Sequence, residues 1–285
     1  MHIPGILSWN WSVGLLTTGI ILIAGYIWMN RFKSVHKTLL FISSMILAEI
    51  ALALPLGPKP PSFQASALSC CLPGGILLSV HMIRSIMLLM LVPPLFVASL
   101  PEEPVRKLLS NNFIEKMVGK LSNPVLTWMV GLGVMWFWHI PPVFNYLTTY
   151  GTSLGHTILP EINVISLLIG GMFLAWPILS PLKEYRLSPL KGSLYLFLAC
   201  TGCSVLGMTI AFASPGFYHT AFSSQPGPIW GLSQKVDQQV GGLLMWVPGC
   251  FIYVTGVMVL MVRWFSGSEA TQTSISHLQE TTTTA

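Results

Sequence analysis

The side chains of this sequence best suited to chemistry are a few histidines and methionines and one aspartate. His81 and Met82 lie in one apolar run, His139 ends a second run, and Asp237 precedes a third. Imidazole suits copper and zinc, and soft thioether sulfur favours Cu(I). Brought to one level by the fold, these groups would form a transition-metal site. The alternative is that each histidine is an ordinary hydrogen-bonded residue near a membrane interface.

The five cysteines allow two interpretations. Cys200 and Cys203 share one helical face, and Cys250 lies at a similar depth in the last apolar run. These three thiols are either soft metal ligands or packing residues in lipid. Cys70 and Cys71 are adjacent, a spacing that rarely allows a disulfide between them, so they are either reactive thiols or small apolar residues.

Two charged residues fall inside apolar runs at similar estimated depths, Glu49 in one and Arg84 in the next. Unpaired charges are costly in lipid. The sequence therefore predicts a structural ion pair between Glu49 and Arg84.

The apolar runs that must position these residues dominate the composition. Of the 285 residues, 53% are hydrophobic and 8% are charged, whereas a soluble domain has about 25% charged residues. A helix needs about 20 apolar residues to cross a bilayer. The sequence predicts an all-α membrane protein whose seven-transmembrane-helix bundle occupies residues 1–266, with helices at 11–29, 38–56, 72–100, 124–140, 162–182, 192–213 and 240–264.

Basic residues predict the orientation of this bundle. They concentrate in alternate connections, as at Lys33, Arg106 and Lys183, and basic loops favour the cytoplasmic side. The N-terminus is therefore expected outside and the C-terminus inside. Residues 267–285 are rich in Ser and Thr and predict a disordered cytoplasmic tail. The scattered basic residues also argue against a nucleic-acid partner.

Four segments in a particular order and spacing carry a family resemblance. They are His81-Met82 with Met87 to Leu95, Trp136 to Pro141, Leu206-Gly207 through Phe212-Ala213 to Tyr218, and Asp237 to Gly249. With these segments the chain resembles the seven-helix CtaG family of cytochrome c oxidase assembly factors found in Gram-positive and other bacteria. The likeness covers the third, fourth, sixth and seventh predicted helices, and the first two match only in character.

The sequence departs from the family pattern at two places. The family usually has a second histidine four residues after the first one in the third helix, where this chain has Ser85. The family also has a His and Glu-His cluster entering the fifth helix, where this chain offers His156, Glu161, Asn163 and Val164 at a different spacing. If those histidines bind metal in the family, part of the site is missing here.

The resemblance implies a non-enzymatic factor that helps copper reach the catalytic subunit of a haem-copper oxidase in the bacterial cell membrane. Its implied partners are oxidase subunits and membrane lipid, and copper is a transient cargo with no other cofactor. The candidate copper contacts are His81, Met82 and His139, with Asp237 as an outer partner. The alternatives are a permanent accessory subunit of a respiratory oxidase complex and a metal or small-solute transporter.

Overall fold

A computed structural model of the chain describes residues 13–30, 34–56, 76–110, 118–119, 123–148, 154–220, 229 and 231–283. Within these ranges the fold is all-α, as predicted, and its one β-contact is the isolated bridge between Ile229 and Leu232. The helices are α1 (Val13–Asn30), α2 (Val35–Ala53), α3 (Leu78–Ser99), α4 (Glu102–Leu109), α5 (Pro124–His139), α6 (Pro141–Thr148), α7 (Leu154–Leu179), α8 (Pro189–Phe212) and α9 (Gln234–Thr283).

Five helices of the described residues, α2, α3, α7, α8 and α9, are long and apolar enough to cross a membrane. The apolar part of α1 is shorter, and α5 has only 16 residues before the chain bends at Ile140 into α6. Each predicted helix corresponds to an observed one, while the count of seven membrane crossings stays a prediction. The short helices α4 and α6 were not predicted, because neither has the length of a membrane span.

The predicted helix boundaries differ most from the structure in α7 and α9. The first begins at Leu154 and the second at Gln234, several residues before the predicted starts. Helical hydrogen bonding does not end where the apolar run ends, and polar residues extend both helices. The backbone of α9 is helical as far as Thr283, and the disordered tail from residue 267 stays a prediction. No proline after Pro248 interrupts the α9 ladder, and each added residue makes a further hydrogen bond.

The middle of α3 contains a π-helical turn at Met87–Leu91. Pro93 and Pro94 follow it and cannot donate the backbone hydrogen bonds that an α-helix requires. A wider turn accommodates this loss without ending the helix, so the prolines neither stop α3 nor split it. Gly171 of α7 packs directly against the carbonyl of Leu89 in this turn.

The helix α9 packs along α8 and against the first half of α3, and α7 packs against α5 and the second half of α3. Their facing side chains form one large apolar core, which includes Met82, Met135, Phe144, Cys203 and Met245. Large apolar side chains also cover the outside of the bundle, among them Ile20, Phe197 and Phe251. A molecule that is apolar on both its inside and its outside is built for lipid.

Contacts between the connections define the two ends of the bundle. At one end, Lys37 Nζ donates to the carbonyl of Leu100 (3.0 Å), and Arg106 pairs with Glu184 (3.3 Å). These contacts bring the three basic connections together at one end of the bundle. At the other end, Asn145 of α6 bonds to the backbone of residues 217–219.

Candidate functional site

The first turn of α3 is capped by a carboxylate from another helix. Leu77 precedes the helix and has no side chain able to accept a hydrogen bond, so the first amide donors need another partner. Asp237 of α9 supplies it by accepting from Leu78 N (2.8 Å), Ser79 N (3.1 Å) and Ser79 Oγ (2.5 Å). Both carboxylate oxygens are therefore engaged at the helix N-terminus, where negative charge is favoured.

The neighbouring residue Gln238 caps a different helix. Its Nε2 donates to the carbonyls of Ile210 (3.1 Å) and Ala213 (2.7 Å) at the C-terminal end of α8. These carbonyls have no partner within their own helix. The Asp237-Gln238 pair thus fastens α9 to the start of α3 and to the end of α8, and the expected copper contact at Asp237 is occupied by capping.

Two predicted site residues do come together in the core. His81 of α3 and His139 at the end of α5 are each only 1% exposed, and their ring centroids are 5.5 Å apart with the planes inclined by 60°. We call these two side chains the histidine pair. They are brought together because α3 and α5 both pack on α7.

The hydrogen bonding of His139 defines its tautomer. Its Nδ1 lies 2.6 Å from the carbonyl oxygen of Met135, which can only accept, so Nδ1 carries the proton and donates. The Nε2 atom then presents a lone pair, and it has no hydrogen-bond partner within the described part of the chain. Histidines that bind metals are oriented in this way, with the second ring nitrogen donating to a carbonyl.

His81 differs because neither of its ring nitrogens has a hydrogen-bond partner among the described residues. A buried polar atom left without a partner costs about 1–3 kcal/mol. A buried group of this kind needs an explanation, and a bound ion is one of them. The histidine pair therefore offers at least two nitrogen donors to one small region between α3 and α5.

Two aromatic side chains close the histidine pair. The ring of Phe144 from α6 meets His81 edge-on at 5.3 Å, and Tyr218 packs on Phe144 at 5.2 Å. The Tyr218 hydroxyl donates to the carbonyl of His139 (3.1 Å). Burial raises the pKa of Tyr218 to about 12, so the hydroxyl stays protonated and keeps donating. The sequence interpretation missed Phe144, which the turn at Pro141 places over the site.

Polar groups from α3 and α7 continue the site inward. Arg84 is buried on α3, three residues after His81 and on the same face of the helix. The side chains of Ser85 and Asn163 are both buried, and Ser85 Oγ and Asn163 Nδ2 have no hydrogen-bond partner in the described ranges. Ser85 and Asn163 occupy the positions where the sequence departs from the family pattern. The side chain of His156 lies outside the described residues.

Arg84 and Glu49 do not form the predicted ion pair. The ion pairs between described residues join Arg106 to Glu102 and to Glu184. Glu49 lies instead against α1, where a Cβ placed on Gly19 would be 2.7 Å from its Oε1. The physical reason is that α2 packs on the second half of α3 and hardly touches the half that carries Arg84.

The remaining candidate metal ligands from the sequence are one methionine and the five cysteines. Met82 is fully buried in the apolar core, as a packing residue would be. Cys200, Cys203 and Cys250 are free thiols, and Cys70 and Cys71 lie outside the described residues. The described residues contain no cluster of three or more His, Cys, Asp or Glu able to hold a metal ion. The candidate metal donors at this site are thus the two imidazoles.

Comparison with known families gives a match over most of the chain. The sequence model of a family described as cytochrome c oxidase caa3 assembly factor matches residues 22–267. Neither curated proteins nor solved structures give a match to this chain. The family match covers most of the chain and includes the capping residues and the histidine pair. The chain, a multi-pass membrane protein by its apolar helices, belongs to the family of cytochrome c oxidase caa3 assembly factors.

Proposed function

We propose that this protein assists copper insertion into the catalytic subunit of a haem-copper oxidase and that the histidine pair is its transient copper contact. The observation that carries the proposal is the pair of buried imidazoles with centroids 5.5 Å apart, which leaves ring nitrogens of both residues without partners in the described structure. Imidazole binds copper well. A bound copper ion would give a partner to ring nitrogens that have none among the described residues.

The small number of donors suits transfer better than storage. The structure offers two imidazoles where the family pattern would offer more, because Ser85 and Asn163 bring no imidazole. Zinc in structural sites takes four protein ligands, which this pair cannot supply. Two imidazoles, without the thiolate ligands that Cu(I) prefers, would hold copper loosely enough to release it to an oxidase subunit.

The apolar helices support a membrane setting for this activity. We infer a bacterial cell membrane location, with the end that carries Asp237 on the outer side and the basic connections in the cytoplasm. The chain carries no motif of a hydrolase or nucleotide-binding enzyme, which favours a non-enzymatic role. Its partners are the oxidase subunits that receive copper and the surrounding lipid.

The test is oxidase maturation in a strain that carries His81→Ala and His139→Ala together. We expect oxidase activity and the copper-to-haem ratio of the purified oxidase to fall by at least about tenfold, since both donors are lost. Excess copper in the medium should restore much of the activity. The matched control is His219→Ala, because the His219 side chain is exposed and the backbone of this residue makes hydrogen bonds that the change leaves in place. Normal copper occupancy of the oxidase in the double variant would exclude the proposal.

A second candidate is a permanent accessory subunit of a respiratory oxidase. It is favoured by the capping role of Asp237 and Gln238, because the polar side chains of this segment join α9 to α3 and to α8. Co-purification separates the two roles. An accessory subunit stays with the mature oxidase in equal amount after gentle solubilisation. An assembly factor is found with immature, copper-poor oxidase and leaves the finished complex.

A further inference from the structure

A second group of donor atoms lies between α8 and α9, separate from the histidine pair. Cys200 Sγ and Cys250 Sγ are 3.0 Å apart, one from each helix. Ser204 Oγ lies 3.1 Å from Cys250 Sγ and also donates to the carbonyl of Cys200. Both cysteines are free. Two neighbouring helices therefore direct two thiols at one point near the middle of the bundle, which we call the thiol pair.

A chain of soft atoms links the thiol pair to the histidine pair. Cys203 is fully buried on α8, and its Sγ lies 3.8 Å from Met135 Sδ of α5. The carbonyl of Met135 accepts the Nδ1–H of His139. Cys203 lies three residues after Cys200, so both thiols are on the same face of α8. Imidazole, thioether and thiol groups thus follow one another from the histidine pair into the bundle.

The chemistry of this pair selects a soft monovalent ion. Thiolate ligands favour Cu(I) and other soft cations, and Cu(I) accepts two-coordinate sites. Zinc takes four ligands, whereas the pair and Ser204 provide three at most. Charge balance points the same way, because a site deep in lipid strongly disfavours net charge.

The neutral form of the loaded site has one thiolate and one thiol. One thiol loses its proton to solvent as its sulfur bonds to Cu(I), and the other thiol binds through a sulfur lone pair. The single positive charge of Cu(I) then cancels the single thiolate charge. Loss of a second proton would leave an uncompensated negative charge in hydrocarbon.

We propose that Cys200 and Cys250 form an intramembrane binding site for Cu(I), distinct from the histidine pair. Neither the family match nor the histidine pair explains why these two thiols face each other. Any part it plays in oxidase maturation rests on the proposed function, whereas its occupancy by Cu(I) does not. The proposed function is tested by the copper content of the oxidase in cells, and the thiol site is tested by Cu(I) binding to the purified chain. Either proposal can therefore fail without the other.

The test is an anaerobic Cu(I) titration of the full chain in detergent against a chromogenic Cu(I) chelator. We expect the Cys200→Ser/Cys250→Ser variant to lose one equivalent of tightly bound Cu(I). The matched control is Cys70→Ser/Cys71→Ser, which removes the same number of thiols and should retain that equivalent. The His81→Ala/His139→Ala variant should also retain it. Unchanged binding by Cys200→Ser/Cys250→Ser would overturn the proposal.

Two further measurements need no change at the thiol pair and so do not depend on the folding of that variant. X-ray absorption of the Cu(I)-loaded Cys70→Ser/Cys71→Ser protein should show sulfur bound to copper. Loading in a weakly buffered solution should release one proton per Cu(I). A copper shell without sulfur, or a Cys200–Cys250 disulfide that retains no copper, would refute the site.

Discussion

Asp237 and Gln238 are adjacent in the chain, but their side chains stabilise the ends of two different helices. The carboxylate accepts the first amide donors of α3, and the amide donates to the last carbonyls of α8. Helix ends buried in protein need such partners, because water is not there to replace them. The role of a buried polar side chain thus depends on which unpaired backbone groups lie within hydrogen-bonding distance of it.

The carboxylate of Asp237 is expected to be important for stability. Asp237→Ala removes an acceptor from three donors at a buried helix start, so we expect a loss of about 3 kcal/mol in the free energy of unfolding. Asp237→Asn keeps one acceptor oxygen and should lose less. Thermal or denaturant unfolding in detergent measures the effect.

The control for this prediction is Gln239→Ala, since Gln239 is exposed on the same turn of α9 and should tolerate the change. A metal ligand would behave differently. If Asp237→Ala lost copper binding while keeping its unfolding transition, the capping role would be wrong.

At the scale of elements, close helix contacts depend on residues without side chains. A Cβ on Gly242 of α9 would lie 2.5 Å from the carbonyl oxygen of Gly207 and 2.6 Å from the backbone nitrogen of Ala211, both on α8. Small residues let helices in lipid approach until their backbones touch. Gly241 and Gly242 therefore determine how closely α9 approaches its neighbouring helices. This distance positions Asp237, Gln238 and Cys250 of α9.

Gly242→Ala should separate α8 from α9. Backbone atoms cannot move aside as a flexible side chain can, so we expect a destabilisation of about 1–3 kcal/mol. The same variant should also weaken Cu(I) binding at the thiol pair, whose sulfurs come from these two helices. The unfolding transition and the Cu(I) titration check the two effects.

The matched control is Gly133→Ala in α5, where an added Cβ meets no atom within 4 Å. Alanine is the better helix former by up to about 1 kcal/mol, so this variant should be neutral or slightly more stable. Equal destabilisation by the two glycine replacements would show that close packing is not the reason.

For the whole molecule, the contacts among connections separate the bundle into a basic end and an end that carries the caps. The basic end contains Lys37, Arg106 and Lys183, and the other end contains Asp237 and His219. The Arg106 pairs with Glu102 and Glu184 are exposed, so salt screens them. These ion pairs show which connections lie at the same end of the bundle, and they contribute little to stability.

Cysteine labelling of intact cells tests the orientation. In a background without native cysteines, we expect His219→Cys to react with a membrane-impermeant maleimide added outside. Lys107→Cys should react only after the cells are permeabilised, because basic connections remain in the cytoplasm. Labelling of Lys107→Cys in intact cells would reverse the orientation and place the histidine pair near the cytoplasmic side.

Much of the architecture could be predicted, whereas little of the site's chemistry could. Apolar runs such as 192–213 identified the helices because lipid demands that length and composition. The nearness of His81 and His139 was also expected. The predicted ion pair between Glu49 and Arg84 is not present among the described residues. Two residues at a similar depth in the membrane can lie on helix faces that do not point toward each other. The capping role of Asp237 was missed because its partners lie far away in the chain.

The sequence by itself determined that this is an apolar, helical membrane protein, that its basic connections alternate, and that it carries the family's motifs in order. These properties depend on local composition, to which lipid responds directly. Only the tertiary structure decided the partners. In the folded protein Asp237 caps α3, His81 lies next to His139, and Cys200 contacts Cys250. Such pairings depend on helix rotation and on glycine contacts between distant segments, which no local pattern encodes.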